Sequence, residues 1–526
     1  MILLDTTKIE SSFVEEAISA PTVLYSYDYI IIGGGTAGCP LAATLSQNST
    51  VLVLERGGSP YVNTSKLRPE NFISTITDNS PDSYSQAFIS EDGVFNRRAR
   101  VLGGGTVING GFYSHAETVF LGEAGLDESL VNDSYRWVEK KLVFEPAVLQ
   151  WKSAMRDGLV EAGVLPYNGF TYDHINGTKI GGTIFDRDGN RHSAADLLEY
   201  ANPERIKVYL HATVLKIMLT TKANGVIFED AMGRKHWAVL TNESKSEIIL
   251  SAGAIGSPQL LLLSGIGPSH QLDKMGIKVV IDQPMVGQGM ADNPSSGLYI
   301  PSPRPVELSL ISVVGITLFG GYIEATSGLN YASAYAQRPS NDNATILNKS
   351  SMTLPAAMDD TASFDLNSTN VGSIFEKIKG PISRGQLGLR STNPNDNPKV
   401  TFNYFQESED LTKCVKGMET VIDVISSKSF SKFRYRNITT QALLDTMVKL
   451  PLNLRPKHPN SATSLEQFCI DTVTTLWHYH GACQVGKVVD QDYKVIGIDG
   501  LRVIDASTFN FSPGTNPQAT IMMLGR

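Results

Sequence analysis

The sequence predicts a mixed α/β fold (α+β in its balance of elements) divided over two domains. Three observations carry that expectation. Tyr29 to Ile32, a short β-branched run, leads through Gly33-Gly-Gly-Thr-Ala-Gly38 into an apolar stretch, Cys39 to Leu45. Residues 205–250 alternate or run apolar between turn signals, and a second strand–glycine–helix pattern follows at 251–268. At 526 residues the chain is also too long for one hydrophobic core.

The first element reads as a buried strand, a glycine turn and a helix. Gly33, Gly35 and Gly38 form G-x-G-x-x-G, and the second strand, Val51 to Leu54, ends in Glu55, twenty residues beyond Gly35. A tight turn, close approach of a pyrophosphate, and close packing of helix on strand each ask for glycine. The helix N-terminus offers free N–H groups to phosphate, and the acid offers acceptors to ribose hydroxyls. In this context the pattern predicts a Rossmann-like dinucleotide site, as compatible with NAD as with FAD. A plain glycine turn is the alternative.

Composition narrows the class. Hydrophobic residues make up 41% and charged residues 19%, which is ordinary for a globular protein. A net charge of −8 gives no basic footprint for nucleic acid or anionic membrane. No apolar run reaches the roughly 18 residues of a spanning helix. The first twenty residues carry Asp5, Glu10, Glu15 and Glu16 and lack the pattern of a secretory signal. Ten Asn-x-Ser/Thr sites nevertheless occur, at Asn48, Asn63, Asn132, Asn176, Asn242, Asn343, Asn348, Asn367, Asn437 and Asn510. Glycosylation there requires a secretory route. The four cysteines (Cys39, Cys414, Cys469, Cys483) have no C-x-x-C spacing, which argues against zinc. Cys39 reads as packed, so that a disulfide would join two of the later three.

Along the chain, residues 58–90 are polar and turn-rich and read as a surface excursion. Gly103-Gly-Gly105, between apolar residues, reads either as a second close backbone approach or as an ordinary flexible loop. Residues 127–165 look helical, with Leu130, Tyr135, Trp137 and Val138 on the apolar side. Residues 301–364 resist assignment. Leu387 to Leu389 and Val400 to Phe405 read as strands, and Leu411 to Ile425 and Leu465 to Leu476 as helices. The last residues, from Asn516, read as the start of a helix.

The chemistry-bearing cluster is Trp477-His-Tyr-His480, followed by a glycine-broken turn. These histidines could be structural, metal-binding or proton-accepting, and their spacing does not choose. No Asp, Glu or Cys nearby completes a metal set. Asp186, Asp188 and Asp292 read as turn or surface residues. There is no G-x-S-x-G elbow, Walker loop or H-E-x-x-H.

Four separated motifs together resemble the glucose–methanol–choline (GMC) oxidoreductase family from about Tyr27 to Arg526: Gly33 to Gly38 with Glu55; Arg100 to Asn109; Gly253 to Gly267; and His478 to Gly486 with 503–508 and Asn516-Pro-Gln518. Within the family, Asp28 to Ser46, Gly169 to His174, Lys179 to Arg187 and Pro513 to Thr520 are similar to the plant branch of HOTHEAD and the (R)-mandelonitrile lyases.

That resemblance implies FAD, held noncovalently because the Gly103–Asn109 cluster has no histidine. It implies FAD-binding segments 25–125, 186–300 and 471–526, interleaved with substrate-domain segments 126–185 and 301–470. The implied cofactor contacts are Gly33, Gly35, Thr36, Ala37, Gly38, Glu55, Arg56, Val101, Gly104, Thr106, Asn109, Val214, Trp477, His478, Asp505, Ala506, Asn516 and Gln518. His478, rather than His480, aligns as the catalytic histidine and Asn516 as its partner. The implied reaction is oxidation of an alcohol CH–OH group, with a long-chain ω-hydroxy fatty acid as one candidate substrate and oxygen or another electron acceptor. Cyanohydrin cleavage is the alternative. For it the lyases resembled here would carry a second histidine, a tyrosine and a cysteine where this chain has Asn516, Leu476 and, approximately, Ile323. The family also implies a Cys414–Cys469 disulfide and an extracellular location. Its secretory signal and final helix have no counterpart in the sequence, so a FAD-binding protein without turnover is a third reading.

Overall fold

The computed structural model describes residues 12–241, 245–331, 353–354, 364–365, 370–458 and 460–526. Its centre is a six-stranded parallel sheet in the order Val14–Glu16, Ile206–Leu210, Val51–Leu54, Tyr29–Ile32, Glu247–Leu250, Leu501–Val503. Ile31 pairs with Val53 on one side and Ile249 on the other. These inner strands are near-continuous apolar runs because a parallel sheet is covered on both faces. The helices Gly38–Leu45 and Gln518–Gly525 pack on each other. The apolar run Leu260 to Leu263 lies in the helix Gly253–Leu263, which is buried nearly all round.

A seven-stranded sheet forms the second layer system, ordered Thr474–Thr475, Pro294–Pro301, Val371–Ile378, Gly321–Ser327, Val313–Ile316, Gly177–Ile180, Tyr167–Phe170. The helices Gln150–Glu161, Ser408–Ser426 and Thr440–Lys449 cover one of its faces around Trp151, Met418, Val421 and Phe430. Cys414 and Cys469 are disulfide-bonded there, joining the helices Ser408–Ser426 and Leu465–Thr472. Two strands of this sheet, Pro294–Pro301 and Thr474–Thr475, come from the stretches 186–300 and 471–526 that the family resemblance assigns to FAD binding.

Several sequence expectations need correction. The stretch 58–90 is not a mere surface excursion: the helix Phe72–Thr77 buries Ile76 and Thr77, and the strand Ser85–Ile89 pairs with Phe95–Ala99. Leu130 is 68% exposed; the helix Glu128–Leu142 buries Val131, Tyr135, Val138 and Leu142 instead, the stripe a 3.6-residue period requires. The expected helix from 465 to 476 stops at Thr472, because a strand and a left-handed Trp477 follow. The strand Val23–Tyr27, unforeseen, completes a four-stranded sheet with Thr213–Leu219, Ala223–Glu229 and Lys235–Leu240, all three from the β-rich stretch 205–250.

No helix among the described residues is long and apolar enough to cross a membrane. The sequons at Asn48, Asn63, Asn132, Asn176, Asn437 and Asn510 are all exposed. Those at Asn242, Asn343, Asn348 and Asn367 lie outside the described residues, as does most of the stretch 332–369.

Candidate active site

A cavity of about 550 Å³ lies between the six-stranded parallel sheet and the seven-stranded sheet, which is antiparallel except at its Gly177–Ile180/Tyr167–Phe170 edge. Sixteen of the eighteen residues expected at the cofactor line it: Gly33, Gly35, Thr36, Ala37, Glu55, Arg56, Val101, Gly104, Asn109, Val214, Trp477, His478, Asp505, Ala506, Asn516 and Gln518. Gly38 and Thr106 stand behind the lining. A Cβ on Gly38 would meet the Gly33 carbonyl at 1.9 Å, so this glycine is what lets the helix sit on the strand. Thr106 is buried; its hydroxyl donates to the Gly103 carbonyl at 2.6 Å and accepts from Ala194 N at 2.9 Å. It shapes the turn from behind the cavity lining.

The second glycine cluster is a close approach, not a loose loop. Gly103 N donates to the Gly34 carbonyl at 2.7 Å, and a Cβ on Gly104 would lie 2.8 Å from Gly35 Cα. The two glycine turns close against one another, leaving a side-chain-free cradle. Glu55 braces it: its carboxylate accepts from Gly34 N at 2.9 Å and Gly57 N at 2.7 Å. A carboxylate has about four acceptor positions, so capacity for ribose hydroxyls remains. Burial raises its pKa. Arg56 is more committed, donating to Gln86 Oε1 at 2.7 Å and the Ala99 carbonyl at 2.9 Å. Asp505 accepts from Gly253 N at 2.9 Å and Ser257 Oγ at 2.5 Å, at the N-terminus of the helix Gly253–Leu263. Its other oxygen, Oδ1, accepts from Ser507 N at 2.8 Å, so Asp505 ties the turn at 505–507 to the start of that helix. The residues therefore fit a dinucleotide: a cradle that a Cβ would fill, a helix N-terminus, a braced acid, and Arg98, whose buried Nη2 has no hydrogen-bond partner among the described residues.

Elsewhere in the lining, Asn109 donates to Gln518 Oε1 at 2.9 Å, and Gln518 donates to the Phe112 carbonyl at 2.5 Å. Arg191, which no motif revealed, clamps this turn through Thr106 O and both oxygens of Asn109.

His478 lines the cavity and its buried Nδ1 has no hydrogen-bond partner among the described residues. Burial, then the charge of Lys377, push its pKa well below the ordinary value. The ring is therefore neutral and able to accept a proton. His480 is occupied elsewhere. Arginine can only donate, so Arg384 Nη1 donates to His480 Nε2 at 2.9 Å, leaving the proton on Nδ1 to donate to the His478 carbonyl at 3.0 Å. His480 does not line the cavity. No cluster of His, Cys, Asp and Glu among the described residues could hold a metal ion.

Asp292 overturns its reading as a turn or surface residue. It is 1% exposed and accepts from His478 N at 2.8 Å, Tyr404 OH at 2.7 Å and Thr475 Oγ1 at 2.5 Å. Thr475 Oγ1 in turn accepts from the N–H of Trp477, whose φ is +59°. This network holds the strained turn that delivers His478. Asp186 does close a turn, accepting from Asp188 N and Asn190 N.

The lyase comparison also changes. Leu476 and Asn516 line the cavity, but Ile323 packs on the far side of its strand, in the helix-covered core. Strand alternation gives the cavity Glu324 instead, a residue the sequence reading did not single out. Of the remaining cysteines, Cys39 and Cys483 are buried free thiols, and Cys39 donates to the Gly34 carbonyl.

Fold and cavity together define an architecture suited to a dinucleotide, with a second sheet across the cavity from the glycine cradle. Two family models, each described as GMC oxidoreductase, match residues 27–295 and 381–525. The chain belongs to the GMC oxidoreductase family. It is 52% identical over 522 residues to Protein HOTHEAD of Arabidopsis thaliana, covering 95% of this chain and 87% of that protein. It is 48% identical to the (R)-mandelonitrile lyase-like protein of the same plant (95% and 88% covered) and 42% identical to Sinalpyl alcohol oxidase Nec3 of Nesocodon mauritianus (95% and 87%). Among solved structures, pyridoxine 4-oxidase from Mesorbium loti superposes with a TM-score of 0.75 at 20% identity, covering 95% and 98% of the two chains.

Proposed function

We propose that this protein is an FAD-dependent oxidoreductase acting on the CH–OH group of a small-molecule alcohol, with FAD bound noncovalently. The observation that carries the reading is His478: a neutral imidazole with a free ring nitrogen, fixed through its backbone in the cavity that Asn516 also lines. FAD, when bound, supplies the acceptor for the hydride that leaves the carbinol carbon. His478 takes the hydroxyl proton, and the depressed basicity of its ring keeps it unprotonated beforehand. Asn516 holds the substrate oxygen through its amide N–H groups. The glycine cradle, Glu55 and the helix end at Gly253 hold the ADP half; Asn109 and Gln518 border the reactive end.

The named alcohol oxidase among the relatives supports oxidation. Leucine at 476 and asparagine at 516 remove polar groups that a cyanohydrin-cleaving pocket would use, and discrimination of that kind depends on such groups. A long-chain ω-hydroxy acid is one candidate substrate, and an aryl alcohol another. The exposed sequons and the Cys414–Cys469 bridge support an extracellular location. The deciding experiment mixes purified protein anaerobically with long-chain ω-hydroxy acids and aryl alcohols. Bleaching of the flavin colour is the expected result. Colourless, folded protein would sink the FAD assignment, and cyanide release from mandelonitrile without bleaching would establish the lyase.

A further inference from the structure

The cavity face of the antiparallel sheet carries a charge pair that packing alone does not require. Strand register places Lys377 opposite Ser295 and Tyr322, and Glu324 opposite Phe375, so Tyr322, Glu324 and Lys377 share one face. Lys377 is 2% and Glu324 0% exposed, with Nζ 3.2 Å from Glu324 Oε1. The pair is ionic by distance, yet its geometry leaves both Glu324 oxygens without a hydrogen bond among the described residues. Lys377 Nζ also lies 4.2 Å over the Tyr322 ring, and the Tyr322 hydroxyl pairs with Thr515 Oγ1 at 3.1 Å. Its third contact is the hydrogen bond it donates to Asn516 Oδ1.

Two of these contacts end on consecutive residues, Thr515 and Asn516. The last one fixes a choice that a carboxamide otherwise leaves open. An ammonium has three donors and no acceptor, so the oxygen of Asn516, not its nitrogen, faces Lys377. Buried ion pairs often add little net stability over apolar replacements, and in some proteins they impose a specific arrangement instead. We propose that Lys377, anchored by Glu324, is a positioning residue that sets the Asn516 carboxamide so that its N–H donors, not its carbonyl, meet the substrate oxygen. This rests on the assignment of Asn516 as the partner of His478. Without the lysine the carboxamide is free to turn over, and its carbonyl then meets an oxygen that is gaining negative charge.

Removing one member of the pair leaves a buried charge unpaired, so the informative variant is K377M/E324Q, compared with N516A and the triple variant as FAD-loaded proteins. Two quantities are measured. One is the limiting rate of anaerobic flavin reduction by an aryl alcohol. The other is the dissociation constant of benzaldehyde, a neutral carbonyl acceptor, from its perturbation of the flavin spectrum. K377M/E324Q is expected to lower the reduction rate by about 10- to 100-fold and weaken benzaldehyde by roughly tenfold. In the N516A background the same change should have less than about a twofold effect, because the group it positions is gone. Full additivity with N516A, or wild-type values for K377M/E324Q, overturns the proposal. If the wild-type flavin is not reduced by any alcohol, the oxidase reading fails, and the benzaldehyde cycle still decides the positioning role.

Discussion

Asp292 offers the sharpest test of how the fold delivers His478. Its carboxylate accepts from a backbone N–H, at His478, and from the hydroxyls of Tyr404 and Thr475. In D292A all of these buried donors lose their acceptor. The hydroxyls can rotate toward other oxygens, but the His478 N–H cannot, and one orphaned buried donor costs about 1–3 kcal/mol. That is enough to release a turn already strained at Trp477. A displacement of about 1 Å in a reacting group costs roughly 100-fold in rate. D292N behaves differently: its carbonyl can still accept from His478 N, and its amide can donate to the two hydroxyls. Anaerobic stopped-flow reduction should therefore show D292A slowed about 100-fold and D292N within about tenfold of wild type, both retaining FAD. Wild-type reduction by D292A would refute the reasoning. Equal damage in FAD-loaded D292A and D292N would show that the charge, not the hydrogen-bond pattern, matters.

Other outcomes follow from the same geometry. H478A should keep its FAD and lose about 100-fold or more in reduction rate, whereas H480A, which removes the acceptor of Arg384 Nη1 and leaves Nη2 on the Asn510 carbonyl, should lower the melting temperature while reduction stays within about tenfold. If H480A alone abolishes bleaching, the histidine roles are reversed. Because burial holds the His478 pKa below its ordinary 6.5, its competent neutral form persists through neutral pH and is lost only as pH falls below that value. The pH profile of kcat/KM should accordingly show its acid limb below 6.5; a limb at or above it contradicts the buried, neutral ring. Cys414 and Cys469 stand 55 residues apart, and cross-linking a loop of that length is worth about 4 kcal/mol in the chain-entropy account. C414A/C469A should lose stability of that order in a denaturant titration, and a difference under about 1 kcal/mol would mean that the core holds the two helices unaided.

The glycine turn shows how much was legible locally. Strand, turn, helix and terminal acid at 29–55 follow from periodicity and steric need, and the structure adds only what Gly33 and Gly38 touch. The same holds for the helix Glu128–Leu142, although its buried stripe sits one residue away from Leu130. The cavity-facing pattern at 322–326 was less legible, because a strand buried on both faces alternates without an exposed side to mark its phase. Ile323 and Glu324 exchange roles on a one-residue shift.

What the sequence by itself determined is the local chemistry: a glycine cradle for a dinucleotide, a histidine-bearing turn, and the motif order of a GMC oxidoreductase. These are short-range features, set by backbone sterics and residue spacing. Tertiary structure alone decided which groups work together. Asp292 meets His478 across 186 residues, and Lys377 meets Asn516 across 139. Such partners are chosen by burial, where an unpaired charge or N–H is costly. That cost acts only once the two sheets have closed over the cavity.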